Sequence, residues 1–341
     1  MATGYARDQP PGFTNRIERV AIVGAGGSVG KHITEQLLLH GQHTVTAISR
    51  PNSRSPLPEG VHIARVDYTD PTKISALIDT LRTQQALIIT MSHQAPPTTI
   101  LHLIRAAAQA GVPYVQPNWW GHDPAHESIC RDSNLSTRRD TVLSEIQSLG
   151  VSHYLLLVCN FWYEWSLGGG PNRFGFDFPR RTVTFFDGGL EPINTTTWPQ
   201  VGRALARLLS LKELPQDESD PAPTLSKFRD GAVYVSSFRL TQREMFESVK
   251  RVTKTQDQDW TVTEESAVER YEQAQKDLQV KLDLNVYTKM LYSRMFFKDG
   301  GGDYESTRGL DNEALGLPME ELDEATTRAV RLGEEDSVPY S

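Results

Sequence analysis

The 341 residues suffice for one large α/β domain or two unequal ones, and 38% hydrophobic with 23% charged residues allow a sizeable core rather than global disorder. A formal net charge of −8 argues against nucleic acid or an anionic membrane surface as a partner, because both select basic patches. The two cysteines, Cys130 and Cys159, lack metal-ligand spacing and are too few for a disulfide framework, so two reduced thiols and no metal site are expected.

Residues 1–16 are polar, rich in Pro and Gly, and lack the apolar stretch of a signal peptide, so a disordered extension on a cytoplasmic protein is expected. No apolar run approaches the ~20 residues of a bilayer span. Residues 19–23 (RVAIV) form a continuous apolar run of the kind buried on both faces of a sheet. A glycine-rich turn, Gly24-Ala-Gly-Gly-Ser-Val-Gly30, leads into a helix over 31–40 that ends at Gly41. Strands are expected at 44–49, 61–66, 86–90, 114–117 and 153–158, with helices at 73–82, 98–110 (ended by Gly111) and 138–149 (ended by Gly150). Strict alternation with short connections predicts an α/β fold, a Rossmann-type doubly wound parallel sheet with right-handed crossovers.

Beyond Asn160 the texture changes. An aromatic run at 161–165 is followed by a glycine loop at 168–171, a strand at 182–186, helices at 198–211 and 242–253, and a Pro/Asp/Ser-rich surface loop at 214–226. Residues 262–284 read as one long polar helix or two, while Gly300-Gly-Gly302 and the acidic tail after Glu334 read as mobile. The domains expected are a nucleotide-binding Rossmann domain at 17–160 and a smaller substrate-binding lobe at 161–341.

The glycine turn is the first functional signal. Gly24, Gly27 and Gly30 follow a buried-type strand and open a helix, the context in which a glycine cluster binds a dinucleotide. Glycine lets the backbone approach a pyrophosphate, and the unpaired N–H groups of Ser28, Val29 and Gly30 at the helix start suit an anion. The second strand ends in Ser49-Arg50, with Arg54 close behind and no acid. An NAD site places Asp or Glu there for the ribose 2′-OH, whereas a guanidinium matches a 2′-phosphate, so the expected cofactor is NADP(H) held by Arg50 and Arg54.

Several separated segments then resemble the NmrA-like, isoflavone reductase-like branch of the atypical short-chain dehydrogenases/reductases. They are Gly24-x-x-Gly27-x-x-Gly30, Asp67-Tyr68-x-Asp70, Pro117-Asn-Trp-Trp-Gly121-His-Asp123, Cys159-Asn160-Phe161 and Leu240-Thr-Gln-Arg-Glu244-Met-Phe246. The resemblance covers roughly 17–300 and implies NADP(H) across the C-terminal strand ends. It places Ser92 and Gln94 along the cofactor, and Pro117, Asn118, Asn160 and Phe161 near the nicotinamide. At the position of the family's catalytic lysine this sequence carries Arg139, which holds its protons and can stabilise charge but is a poor general acid.

With that acid missing, an iminium substrate becomes chemically attractive, because hydride addition to it yields a neutral amine. Asn118, Asp123 and Glu164 are the other catalytic candidates, whereas His122 and Glu127 read as solvated loop side chains. Trp119, Trp120, Trp162, Tyr163 and Trp165 cluster in the two loops that should flank the nicotinamide, and aromatic walls suit a flat, bulky ligand. The leading expectation is an NADPH-dependent reductase of a bulky aromatic small molecule (imine, iminium, carbonyl or enone) in secondary metabolism, such as alkaloid biosynthesis. A Pictet–Spengler-type cyclase on the same scaffold and a non-catalytic NADP-sensing regulator are the alternatives. No nucleic-acid or membrane partner is expected, and a homodimer is left open.

Overall fold

The structure, a computed structural model, describes residues 4–92 and 95–335. Gln94 and the tail beyond residue 335 therefore lie outside the described residues. The first half alternates as its apolar runs dictate: β1 (Arg19–Val23), α1 (Ser28–His40), β2 (Thr44–Ser49), β3 (His62–Arg65), α2 (Ile74–Leu81), β4 (Ala86–Ile89), α3 (Pro97–Ala110) and β5 (Tyr114–Gln116). A short α4 (Glu127–Asp132), then α5 (Ser136–Leu149) and β6 (His153–Val158) follow. Gly41, Gly111 and Gly150 close α1, α3 and α5 as expected.

The second half contributes β7 (Phe161–Trp162), α6 (Tyr163–Leu167), β8 (Phe176–Asp177), β9 (Thr182–Phe186), β10 (Ile193–Thr196), α7 (Trp198–Leu209), β11 (Gly231–Tyr234) and β12 (Phe238–Leu240). It ends with α8 (Gln242–Thr253), β13 (Thr261–Glu265), α9 (Ala267–Val280), α10 (Leu284–Met295), α11 (Glu305–Arg308) and α12 (Leu322–Glu334).

Seven parallel strands form the main sheet in the order β11-β6-β5-β4-β1-β2-β3. One face is covered by α1 and α7, through Val29, Ile33, Leu37, Val201, Leu205 and Leu208. The other is covered by α2, α3 and α5, through Leu77, Leu103, Ile104, Val142 and Ile146. Helices α1 and α7 approach closely because Gly202 has no side chain; a Cβ there would lie 2.6 Å from the His32 carbonyl oxygen. A second core, rich in Phe, joins the small sheets β12-β10-β7 and β13-β9-β8 to α6, α8, α10 and α12.

Four expectations need correction. The division at residue 160 does not follow the sheet, because α7 and β11 complete the N-terminal layers: β11 pairs in parallel with β6, Gly231 opposite Leu155. The stretch read as helix from 262 begins as β13, aligned on β9 with Val262 opposite Val183; its polar, fully exposed sequence carries no strand alternation. Residues 4–16 are tied down rather than disordered, since Ala6 N donates to Pro215 O (2.9 Å) and Asn15 exchanges hydrogen bonds with Leu214 (2.7 and 2.8 Å). The glycine loop at 300–302 is docked, with Gly302 O accepting from Asn194 N at 2.8 Å and from Asn160 Nδ2 at 3.2 Å.

Candidate dinucleotide and substrate site

The phosphate end is built by the turn from β1 into α1. Gly24 has φ +89, and a Cβ on it would lie 2.5 Å from Thr90 Oγ1 and closer still to the Thr90 carbonyl oxygen. Thr90 Oγ1 in turn donates to Val23 O (3.0 Å) and Gly24 O (3.1 Å), fixing the tip of β4 against the turn. A Cβ on Gly30 would press into the Gly24 carbonyl, so Gly30 is a packing glycine. Gly27 differs: its Cβ would meet only Gly24 O, at 3.3 Å, and otherwise open space. Gly27 caps α1 with no side-chain hydrogen bond, and among the described residues the N–H groups of Ser28, Val29 and Gly30 have no acceptor. Bare donors, an open approach and the positive end of a helix dipole fit a pyrophosphate.

At the neighbouring strand tip, Arg50 and Arg54 are both exposed and pair with no carboxylate among the described residues. Tyr68, in the loop after β3, lies in the field of Arg50; its burial pushes the phenol pKa up while the guanidinium opposes the rise. The loop after β2 folds back over the glycine turn, its Pro56 carbonyl blocking any side chain on Gly26. Arg65, at the end of β3, ties this loop to the sheet through the carbonyls of Arg50 and Ser53. An Arg at that position is not marked by any motif.

The nicotinamide end should lie over the tips of β4, β5 and β6. Ser92 is exposed there, and Pro117 is buried at the tip of β5. The Asn118 amide is used structurally: Oδ1 accepts from Met91 N (3.0 Å) and Nδ2 donates to Met91 O (2.9 Å), stitching the loops after β4 and β5 together. Trp119 is buried in the core beneath α3 and α5, whereas Trp120 is half-buried and donates its indole N–H to Ile89 O at 3.1 Å.

Arg139, in the first turns of α5, lays its guanidinium 5.3 Å from the Trp119 ring. It donates to Pro124 O (3.3 Å) and Cys130 Sγ (3.1 Å) and pairs with Asp140 (2.7 Å). His122 is buried against Trp119 rather than solvated, edge-on at 5.0 Å. Burial first, and Arg139 second, press its pKa down to about 3, so it is a neutral imidazole at physiological pH.

The carboxylates read as catalytic candidates are held by residues far away in the chain. Asp123 is buried and accepts from Arg308 Nε (3.0 Å) and Tyr234 OH (2.8 Å), which pins α11 and β11 to the loop after β5. Glu164 is buried and accepts from Arg328 (3.1 Å) and from Trp198 N at the start of α7 (3.2 Å). Burial raises its pKa, and Arg328 only partly offsets this. Asp123 ties the first half to the second, Glu164 ties α6 to α7 and α12, and both oxygens of each carboxylate already accept hydrogen bonds.

Asn160 joins the loops at the junction. Its φ is +51, a conformation asparagine tolerates, and its backbone N–H donates to Gly121 O at 3.0 Å. Its Nδ2 reaches Asn194 O at 2.8 Å. Phe161 is half-buried and stacks on Tyr292 at 3.8 Å, 11° from parallel. Tyr163 leaves the expected pocket: it is fully buried in the Phe-rich core, its hydroxyl 2.7 Å from Thr326 Oγ1. Trp162 and Trp165 remain half-exposed and are joined by Trp198, 6.4 and 6.1 Å away, which the sequence reading passed over. Trp198 stacks with His32 of α1 at 6.4 Å, so this aromatic wall stands beside the phosphate-binding helix. A separate cavity of about 280 Å³, lined by Phe178, Val252, Trp260 and Val330, lies in the C-terminal lobe and shares no residue with these strand tips.

A parallel doubly wound sheet with a naked helix start beneath a glycine turn defines a dinucleotide-binding protein. A family model described as NAD(P)H-binding matches residues 24–115, the segment that holds the glycine turn and the tips of β2 to β4. The chain is 26% identical over 314 residues to an oxidoreductase, aprR, of Aspergillus flavus, covering 90% of this chain and 96% of that one. It is similar in fold to the pinoresinol-lariciresinol and phenylcoumaran benzylic ether reductases (TM-score 0.70, 16% identity, 92% of this chain and 99% of that one). It is also similar to the NADPH-dependent quinone oxidoreductase of Escherichia coli in complex with NADPH (TM-score 0.64, 18% identity, 90% and 98%). Residues 24–115 thus form an NAD(P)H-binding segment, and the chain as a whole has a fold similar to that of the pinoresinol-lariciresinol and phenylcoumaran benzylic ether reductases. Among the described residues no helix is long and apolar enough to cross a membrane, and no cluster of three potential metal ligands occurs.

Proposed function

We propose that this protein is an NADPH-dependent reductase of a bulky, aromatic small molecule of specialised metabolism, with an iminium carbon, formed by an imine that takes its proton from solvent before hydride transfer, as the preferred acceptor. The observation that carries this reading is the juxtaposition at one edge of the sheet. The bare first turn of α1 and half-buried Trp120, Phe161, Trp162 and Trp165 all follow the C-terminal ends of β1, β5 and β6. Trp198 links Trp162 and Trp165 to His32 of α1, and Asp123 and Glu164 are already held in ion pairs. The similarity to proteins named as oxidoreductases and NADPH-dependent reductases supports it.

Bound NADPH supplies the hydride. Ser28, Val29 and Gly30 hold the pyrophosphate by their N–H groups, and Arg50 meets the 2′-phosphate. The tryptophans exclude water and face the substrate ring, an arrangement that also favours a cation through its attraction to aromatic faces. Arg139 stays charged throughout and acts on the electric field near Trp119 rather than as a proton donor. His122, neutral and buried, is no ready acid either. A site without a poised acid suits an acceptor that needs none.

The test is turnover of NADPH against a panel of cyclic aryl imines, aryl ketones and enones, with product analysed by mass. Stoichiometric NADPH loss with imine reduction fastest is the expected result. Product formed without NADPH loss would make the protein a cyclase, and tight NADPH binding with no turnover on any acceptor would make it a sensor; either result overturns the proposal. Arg50→Glu should weaken NADPH by more than about tenfold while sparing NADH. Arg139→Ala should lower kcat by roughly ten- to a hundredfold, and unchanged kcat would show that position to be idle.

A further inference from the structure

The tip of β3 carries a feature that the glycine turn and Arg50 do not explain. Ser49, the last residue of β2, stands in register with Arg65 of β3. Nη1 of Arg65 alone makes three contacts: to Ser49 Oγ (3.2 Å), Arg50 O (3.3 Å) and Ser53 O (3.1 Å). The last two acceptors bracket a tight turn, closed by Ser53 N donating to Arg50 O at 3.0 Å. The rest of the fork, Nη2 and Nε, has no partner among the described residues, and the side chain is exposed. In a chain of net charge −8, three arginines (Arg50, Arg54 and Arg65) gather here without a carboxylate against any of them among the described residues. The tip of β2 is where a dinucleotide-binding sheet meets the adenosine ribose.

We propose that Arg65 is a specificity-determining residue for the cofactor's 2′-phosphate: Nη1 holds the turn that presents Arg50, and the free edge of the guanidinium grips the phosphate. This rests on the reading of NADPH as the preferred cofactor. A planar fork with two donors on one edge matches two phosphate oxygens, which an ammonium does not. The unpaired charge cluster, otherwise a source of mutual repulsion, then has a dianion to neutralise it.

The experiment is calorimetric titration of wild type, Arg65→Met and Arg65→Lys with NADPH, NADH and 2′,5′-ADP, alongside thermal unfolding to show that each variant is folded. The expected result is a loss of about tenfold or more for NADPH and 2′,5′-ADP in Arg65→Met, NADH affinity within about twofold of wild type, and partial recovery in Arg65→Lys. Equal losses for NADPH and NADH would reduce Arg65 to a brace for the loop, and no loss for either would leave it without a role; both outcomes overturn the proposal. A wild-type protein that fails to prefer NADPH over NADH would instead refute the cofactor reading on which the proposal stands.

Discussion

Replacing Gly30 by alanine tests whether the turn is packed as described. Two effects oppose each other. Alanine in the first turn of a helix gains up to about 1 kcal/mol over glycine by reducing the freedom of the unfolded chain. Against this, the new Cβ would fall inside the Gly24 carbonyl oxygen's contact radius and 2.7 Å from Thr90 Oγ1. A backbone oxygen cannot swing away, so α1 or the β1 tip must move, and overpacking of this kind costs about 1–3 kcal/mol, here at the upper end. The net expectation is a loss of about 2 kcal/mol and, for a chain of this size, a Tm lower by roughly 3 °C. Gly27→Ala is the control. Its Cβ meets a single atom at 3.3 Å, so stability should stay within about 1 kcal/mol of wild type, while NADPH binding falls by more than about tenfold because the methyl occupies the approach of the pyrophosphate. Thermal unfolding with and without NADPH reads both. A Gly30→Ala protein as stable as wild type, or a Gly27→Ala protein that binds NADPH normally, would refute the division of labour between these two glycines.

The two buried titrating groups of the site predict opposite responses to acid. His122 has its pKa depressed to about 3, so the unfolded chain binds its proton first and the stability this neutral imidazole confers is present above the ordinary histidine range and lost on acidification. Wild type should be about 2 kcal/mol less stable near pH 5 than near pH 7 through this group, and His122→Gln should show a flatter profile in urea unfolding. Glu164 has its pKa raised by burial, so ionisation there opposes folding; relative to Glu164→Gln, wild type should gain stability as pH falls from neutrality toward the carboxylate range. A relative loss on acidification would mean that Arg328 dominates the burial. Asp123→Asn should release Arg308 and the Tyr234 hydroxyl together, and the expected readout is earlier proteolysis of the segment around α11 with the glycine-turn binding of 2′,5′-ADP retained.

What could be read from the sequence was whatever is encoded locally. Short apolar runs such as 153–158, bounded by turn residues, read as strands buried on both sides. The glycine turn announces its ligand because its spacing between a strand and a helix is visible within seven residues, although Thr90 and Pro56, which crowd Gly24 and Gly26, are not. The strand at 261–265 stayed hidden because TVTEE is wholly exposed and gains its identity only by pairing with residues 182–186. The same distance in sequence explains the carboxylates. Asp123 and Glu164 have the residue type and the loop position of acid–base groups, yet their partners are 185 and 164 residues away, and nothing near either one signals that its charge is already neutralised. Tyr163 and Trp165 are two residues apart, and a single turn of helix sends one into the core and leaves the other half-exposed. An adjacent tryptophan supplied by α7 completes the wall, and no spacing rule links it to the 161–165 run.

The late arrival of β11 has a consequence for how this chain can be cut and assembled. A fragment ending at residue 160 would present the open edge of β6 and the uncovered apolar flank of α1 to water, both normally sealed by segments synthesised afterwards. Unsatisfied strand edges recruit one another, so such a fragment should aggregate rather than fold. On the ribosome, the nucleotide-binding layer must wait unfinished until residue 234 has emerged, and any shuffling of the substrate-side segments among relatives has to preserve the two inserts that close the first sheet.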